Sequence, residues 1–206
     1  FRRVLFRSLP IDSGAAFVID RDTGDTLQVL TDTFSSGGYF GYSVALEGTR
    51  AIIGEPLGDS SAGKALLLDV RTGNELVHLR LPTYLQTSAS QFGEVVALHD
   101  GFALVSTPNA TTNQPTVLVY DSRGGNGNFI HELQLDDYQA GDKWGKSLAV
   151  TANAIVVGQS SIDTGRQFAH GTVARHPHVG RHFSQRHHHE SALQHARMGN
   201  GQSRIM

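Results

Sequence analysis

Phe40-Gly41-Tyr42-Ser43-Val44-Ala45-Leu46 returns twice further along the chain, as Phe92-Gly93-Glu94-Val95-Val96-Ala97-Leu98 and as Trp144-Gly145-Lys146-Ser147-Leu148-Ala149-Val150. Phe40 to Phe92 and Phe92 to Trp144 are both intervals of 52 residues. A fixed period of about 50 residues marks a repeat architecture, in which each unit buries its apolar face only against its neighbours.

The rest of the period recurs as well. A second apolar run follows each phrase, at 50–54, 102–106 and 154–158. After a polar loop comes a third run, at 65–69 and 116–121, then a turn and a fourth run, at 75–79 and 131–135. The runs at 15–20 and 26–30 are the third and fourth of an earlier unit. Short runs of Val, Ile, Leu and Phe between turn residues predict strands. Residues 66–68 and 102–105 are apolar without alternation, which predicts strands covered on both faces. The fourth run alternates, which predicts one wet face. Asp20 to Gly24 and Asp69 to Gly73 repeat an Asp-x-x-Thr-Gly turn, and Gly124 to Gly127 take its place in the next unit. The expected fold is all-β: a partial β-propeller of about three four-stranded antiparallel blades, followed by an irregular C-terminal tail.

The phrases Phe40-Gly41-x-Ser43-Val44-Ala45, Ile52-Ile53-Gly54-Glu55-Pro56 and Ala140-Gly141-Asp142-Lys143-Trp144-Gly145-x-Ser147 resemble the FG-GAP repeat. That repeat is known from integrin α-chain propellers and from many secreted bacterial proteins. The resemblance covers roughly residues 14–162, and the second half of the motif has drifted in every copy. It implies a propeller fold and an extracellular or cell-surface location. Integrin-type repeats carry a calcium loop between the first two strands of a blade, but here the corresponding positions 47–50, 99–101 and 151–153 are short and poor in carboxylates, a departure that suits a bacterial-type repeat without clear calcium loops.

Three blades do not close a ring of four to eight, so the chain is expected to be a fragment whose missing blades belong to the same parent chain. Residues 9–165 form the incomplete propeller. Residues 1–8 contain Arg3-Val4-Leu5-Phe6-Arg7-Ser8, the translation of a string resembling a common sequencing adapter. They are read as a scar of that kind, with a basic, apolar arm as the alternative. Residues 166–206 hold eight of the eleven histidines, six arginines, one acid and no lysine. A reading-frame shift and a natural disordered tail both account for this change, the shift being favoured.

Net charge divides along the same boundary. Residues 1–165 carry 18 acids against 11 Lys and Arg, a net of −7, while 166–206 carry a net of +5. An acidic repeat region argues against nucleic acid as a partner. The chain has no cysteine, so disulfides and cysteine chemistry are excluded. No apolar run reaches membrane-spanning length. Asn109-Ala110-Thr111 is a glycosylation acceptor pattern that matters only in a eukaryotic secretory pathway.

Gly58-Asp59-Ser60-Ser61-Ala62-Gly63-Lys64 fits the first seven positions of a phosphate-binding loop. Ala65 stands where the magnesium-holding hydroxyl belongs, and a strand is expected where the helix belongs, so nucleotide binding is disfavoured. Asp20-Arg21-Asp22-Thr23-Gly24-Asp25 resembles the start of a calcium loop but lacks a bidentate Glu, and a solvated turn is the favoured reading. The histidines from His182 to His195 would bind zinc or nickel only loosely. His78, His99 and His131 are isolated and read as surface or rim residues. Ser43 and Ser147 recur at one repeat position, which suits a hydroxyl bonded to neighbouring backbone rather than a nucleophile. Phe40, Phe92 and Trp144 are expected to be packing anchors. No residue is assigned a catalytic, cofactor-binding or metal-ligating role.

Two functional classes remain. The favoured one is a non-catalytic interaction module, secreted or on a cell surface, presenting the loops at 56–63 and 107–115 to a protein or glycan. The alternative is the propeller portion of a larger extracellular hydrolase whose active site lies in missing blades.

Overall fold

The structure, a computed structural model, describes residues 13–32, 37–87, 89–108, 114–123, 125–135, 138–139 and 141–160. The segments 1–8 and 166–206, the histidine tract and the Asn109 triplet lie outside the described residues.

The described residues form antiparallel sheets in chain order. Strands β1 (Ala16–Ile19) and β2 (Thr26–Leu30) make a two-stranded sheet. A four-stranded sheet follows, β3 (Ser43–Glu47), β4 (Arg50–Glu55), β5 (Lys64–Asp69) and β6 (Glu75–Arg80), each strand beside the next. A second one repeats it with β7 (Val96–His99), β8 (Phe102–Thr107), β9 (Thr116–Asp121) and β10 (Asn128–Leu133). Strands β11 (Trp144–Val150) and β12 (Ile155–Gln159) form a last two-stranded sheet. Registers coincide between copies: Glu55 faces Lys64 across β4 and β5, as Thr107 faces Thr116 across β8 and β9.

Side chains alternate between the two faces of a strand, so each complete sheet supplies two apolar layers. Ile53, Leu66 and Leu68 point toward the β1–β2 hairpin and Leu30. Ile52, Leu67 and Leu79 point the other way, against Val96, Leu98 and Val105. Leu104, Val117 and Val119 meet Ile155, with Trp144 and Leu148 packed at the edge. Strands β5 and β8 are therefore covered on both faces, as their unbroken apolar runs predict, and β4 is covered in the same way. Strand β6 alternates, burying Val77 and Leu79. Strand β10 begins at Asn128, three residues before the expected start: Asn128 and Phe129 pair with Asp121 and Tyr120, and a register shift leaves Ile130 unpaired before His131 meets Val119.

The aromatic-glycine phrase stitches neighbouring sheets together. Phe40 and Phe92 are buried, and their amides donate to the carbonyls of Ser13 (3.1 Å) and Ala62 (3.0 Å) in the preceding sheet. Gly41, Gly93 and Gly145 take φ of 91°, 99° and 79°. A Cβ on Gly41 would lie 2.5 Å from the Ala15 carbonyl oxygen, and one on Gly93 would lie 2.4 Å from that of Lys64. The close approach of two backbones thus requires glycine at both positions. The Ser43 hydroxyl donates to the Gly93 carbonyl at 2.9 Å, the structural role expected of it. Trp144 is only half-buried, and its indole N–H donates to the Leu133 carbonyl at 3.3 Å.

The recurrent turns also match. The Asp20 carboxylate accepts from the amides of Asp22 and Thr23, both at 2.9 Å, and the Asp69 carboxylate accepts from Arg71 at 2.8 Å and Thr72 at 3.3 Å. The amides of Thr23 and Asp22 hold the Asp20 carboxyl below its usual range. Each aspartate caps its own turn.

Candidate binding site

Residues 56–63 join β4 to β5, and their shape follows from two residues they enclose. Glu55 and Lys64 face each other where the strands part. Glu55 is fully buried and Lys64 nearly so. The Lys64 ammonium contacts Asp32, also buried, and lies 3.4 Å from Glu55 and 3.9 Å from the exposed Asp59. Burial alone would lower the Lys64 pKa; the Asp32 hydrogen bond and the charges of Glu55, Asp32 and Asp59 outweigh it and hold the amine above its ordinary value. Gly58 lies over this pair, where a Cβ would come within 3.0 Å of Lys64 Cε and 3.1 Å of Glu55 Cδ. Asp59, Ser60 and Ser61 turn left-handed at φ of 46°, 59° and 70° in a single helical turn, α1 (Gly58–Ser61).

The turn aims Asp59 outward to a second group of charges. Arg80 Nε lies 3.0 Å from the Asp59 carboxylate and donates to His78 Nε2 at 3.2 Å. His78 is also 3.7 Å from Asp59 and from Glu75. The reading of His78 as isolated is thereby corrected: it lies in a charged cluster, joined through a fold contact that chain spacing does not reveal. Burial and the Arg80 charge push its pKa down, and Asp59 and Glu75 only partly offset them. His99 likewise has a neighbour, Glu47, at 3.2 Å.

Lys64 starts a strand and its amine is engaged by carboxylates, so this chain's resemblance to a phosphate loop ends at its spelling. The next copy does not repeat the cluster. In the next copy Leu81 stands at the place of Asp32, and Thr107 and Thr116 stand at those of Glu55 and Lys64. Thr107 Oγ1 instead donates to the Ser90 carbonyl at 2.6 Å.

The loop built on this cluster forms one wall of a notch. Tyr39, Tyr42, Pro56, Leu57, Gln91 and Glu94 line a hollow of about 140 Å³. The Leu57 amide donates to the Gly38 carbonyl at 3.1 Å, which ties the loop to the tyrosine segment, and the Phe92 amide donates to Ala62. Tyr39 and Gln91 adopt left-handed φ of 60° and 55° at equivalent positions, a strain of about 1–3 kcal/mol each that the flanking contacts must sustain. Tyr39 is 45% exposed and Tyr42 60% exposed. Two half-exposed tyrosines beside a carboxylate and an amide offer flat apolar surface with polar ends, the composition of recognition surfaces. The volume suits one side chain or one sugar ring and falls below a typical drug-sized pocket.

A larger groove of about 670 Å³ lies between β1 and β3–β4, lined by apolar residues including Phe17, Ile19, Val44 and Leu46. It presents no charged side chain to orient a ligand. Among the described residues no three His, Asp or Glu side chains are grouped so as to hold a metal ion, and no helix is long and apolar enough to cross a membrane.

Sequence reasoning reached the loop at 56–63 but not Asp32, Glu55, Tyr39, Tyr42, Gln91 or Glu94. The available signal was a departure between copies: charges at 32, 55 and 64 where the next unit has Leu and Thr. No protein-family model matches the chain, and no curated protein matches it.

Proposed function

We propose that the chain is a non-catalytic binding module of β-propeller type, related to FG-GAP repeats, that presents the notch at Tyr39 and Tyr42 to a protein or glycan partner. The carrying observation is the pairing of exposed tyrosines with a rigid support. Support for the propeller reading comes from two four-stranded antiparallel sheets stacked in register between two half-sheets. In this reading the module works outside the cell or at its surface. The engagement of every charge in the Asp32–Lys64–Asp59 cluster by other charges favours support over catalysis.

The test is binding of the full chain to arrays of glycans and of extracellular protein domains, repeated with Tyr42→Ala and Tyr39→Ala. Tyr42→Ala leaves stability within about 0.5 kcal/mol, as an exposed position should. It is expected to weaken any specific ligand at least about tenfold, a loss of roughly 1.4 kcal/mol. A ligand bound equally by the parent chain and both variants would refute the assignment of the notch.

A further inference from the structure

The two terminal sheets are complementary halves. By register, β1 and β2 correspond to β5 and β6, and β11 and β12 correspond to β3 and β4. Among the described residues β1 pairs only with β2, and β12 only with β11. Among the described residues, one half-sheet therefore lacks the two strands that correspond to those of the other.

We propose that β11–β12 of one copy of this chain adds onto β1–β2 of a second copy, giving a composite sheet in the order β11-β12-β1-β2. This goes beyond the binding-module reading and stands apart from it. Transfer of the β4–β5 and β8–β9 registers sets Ile155 opposite Ile19, Val156 opposite Val18 and Val157 opposite Phe17.

Burial supports a partner of this shape. Phe17 is 52% exposed and Val156 60%, whereas their counterparts Leu66 and Ile52 are at 3% and 0%. Val44 and Leu46, at 60% and 63%, face the open groove, while Val96 and Leu98 at the same places in the next copy are covered by the preceding sheet. In the composite, Val156 lies over Val44 and Leu46 of the second copy as Ile52 lies over Val96 and Leu98. Phe17 and Ile19 of the second copy turn toward the sheet that already packs on Ile155 and Val157. A single contact thus covers the apolar residues exposed at both ends.

The edges also differ from edges meant to stay bare. Charged residues guard the outer strands β6 (Glu75, Arg80) and β10 (Glu132). Residues 15–19 and 155–159 contain no charged residue and no proline, so nothing there blocks strand addition. The occupant is a second copy because each half has the register and apolar pattern of the strands that the other half lacks among the described residues.

The chain has no cysteine, which permits a direct test. Phe17→Cys and Val157→Cys are prepared separately as full-length chains and mixed under mild oxidation. Directly opposed residues lie about 4.5–5.5 Å apart between Cα atoms, within disulfide reach. A mixed disulfide several-fold above the yield of either variant alone is expected, and Phe17→Cys with Ile155→Cys, two residues out of register, should give little. The pair Val18→Cys and Val156→Cys is a second in-register test should one variant fold poorly. Sedimentation of the parent chain should show multiples of the monomer mass, and Val156→Lys should shift it toward monomer. A monomer up to roughly 100 μM, where even weak pairing would register, overturns the proposal. So does cross-linking that is no stronger in the mixture than in the separate variants, the result expected if residues of the same copy cover the β1 edge.

Discussion

Lys64→Met removes one charge and nearly preserves the side-chain volume, so its consequence is electrostatic. In the parent chain the ammonium sits between Asp32 and Glu55, and all three side chains are at most 4% exposed. Deleting one member of a buried ion pair destabilises by about 3–5 kcal/mol, since the partner stays buried without compensation. Two carboxylates are stranded here, so the loss should reach that range even with no contribution from Asp59, whose exposure screens it. For a unit of this size it corresponds to a fall of roughly 6–20 °C in melting temperature. Urea unfolding followed by circular dichroism measures it, provided the slope with denaturant is unchanged. The sign with pH adds a second readout. Without the lysine, the stranded carboxyls bind protons more readily in the folded state than in the unfolded state. Stability of the variant then falls as pH rises, and its deficit should be larger at pH 8 than at pH 5. Replacing the group together, as Asp32→Leu, Glu55→Gln and Lys64→Met, should restore most of the loss. A deficit below about 1 kcal/mol, as for an exposed pair, or one independent of pH, would refute the view that this cluster supports the loop.

Other perturbations separate the remaining elements of the structure. Gly93→Ala should destabilise by more than about 2 kcal/mol, because the methyl meets the Lys64 carbonyl as well as the left-handed backbone. Gly24→Ala, equally left-handed but with open space around it, should lose only about 1–2 kcal/mol; equal losses in chemical denaturation would contradict the close-approach account. Phe92→Ala should lose about 3–5 kcal/mol and Trp144→Ala distinctly less, as Phe92 is fully buried and Trp144 half-buried. His78 has a folded pKa below that of the unfolded chain. The unfolded state therefore takes up the proton first, so stability is full above about pH 6.5 and declines as pH falls toward 5. His78→Asn should flatten that part of a midpoint-versus-pH profile, and an unchanged slope would show that other groups cause it.

The repeated parts of the fold were legible because burial in a stacked sheet constrains residue type at every turn of the period. Residues 102–105 had to be apolar throughout once β8 was covered on both faces, and positions 20 and 69 called for a short side-chain acceptor such as aspartate once each capped its own turn. The bulge at Phe129 was not legible, because its unpaired residue, Ile130, precedes the alternating run at 131–135 from which the strand was read. The Asp32–Lys64 contact spans 32 residues and requires the stacking of two sheets. The Glu55–Lys64 pair was closer to view, since both flank a hairpin loop where opposite charges face each other across the strands. Lys64 was instead read through the spelling of its loop.

Comparing copies within one chain distinguishes scaffold from site. Where the copies agree, as at Gly41, Gly93 and Gly145, the residue answers a demand that recurs: positive φ at all three, with close backbone approach at Gly41 and Gly93. Where they differ at one buried position, recurrence cannot be the reason. Leu81 fills the Asp32 place with ordinary apolar packing, and Thr107 and Thr116 satisfy the other two with neutral hydroxyls. The fold therefore does not require three buried charges at that level. Charges there are the more expensive arrangement by desolvation, and they coincide with the loop that walls the notch at Tyr39 and Tyr42. They adjoin residues 56–63 at Gly58, which lies over Lys64 and Glu55, and at Asp59, 3.9 Å from the Lys64 ammonium. A binding surface gains from a fixed loop because a preformed loop loses less entropy when a partner docks. The compensated triple variant should accordingly keep its fold while binding at the notch weakens, a separation that packing alone would not produce.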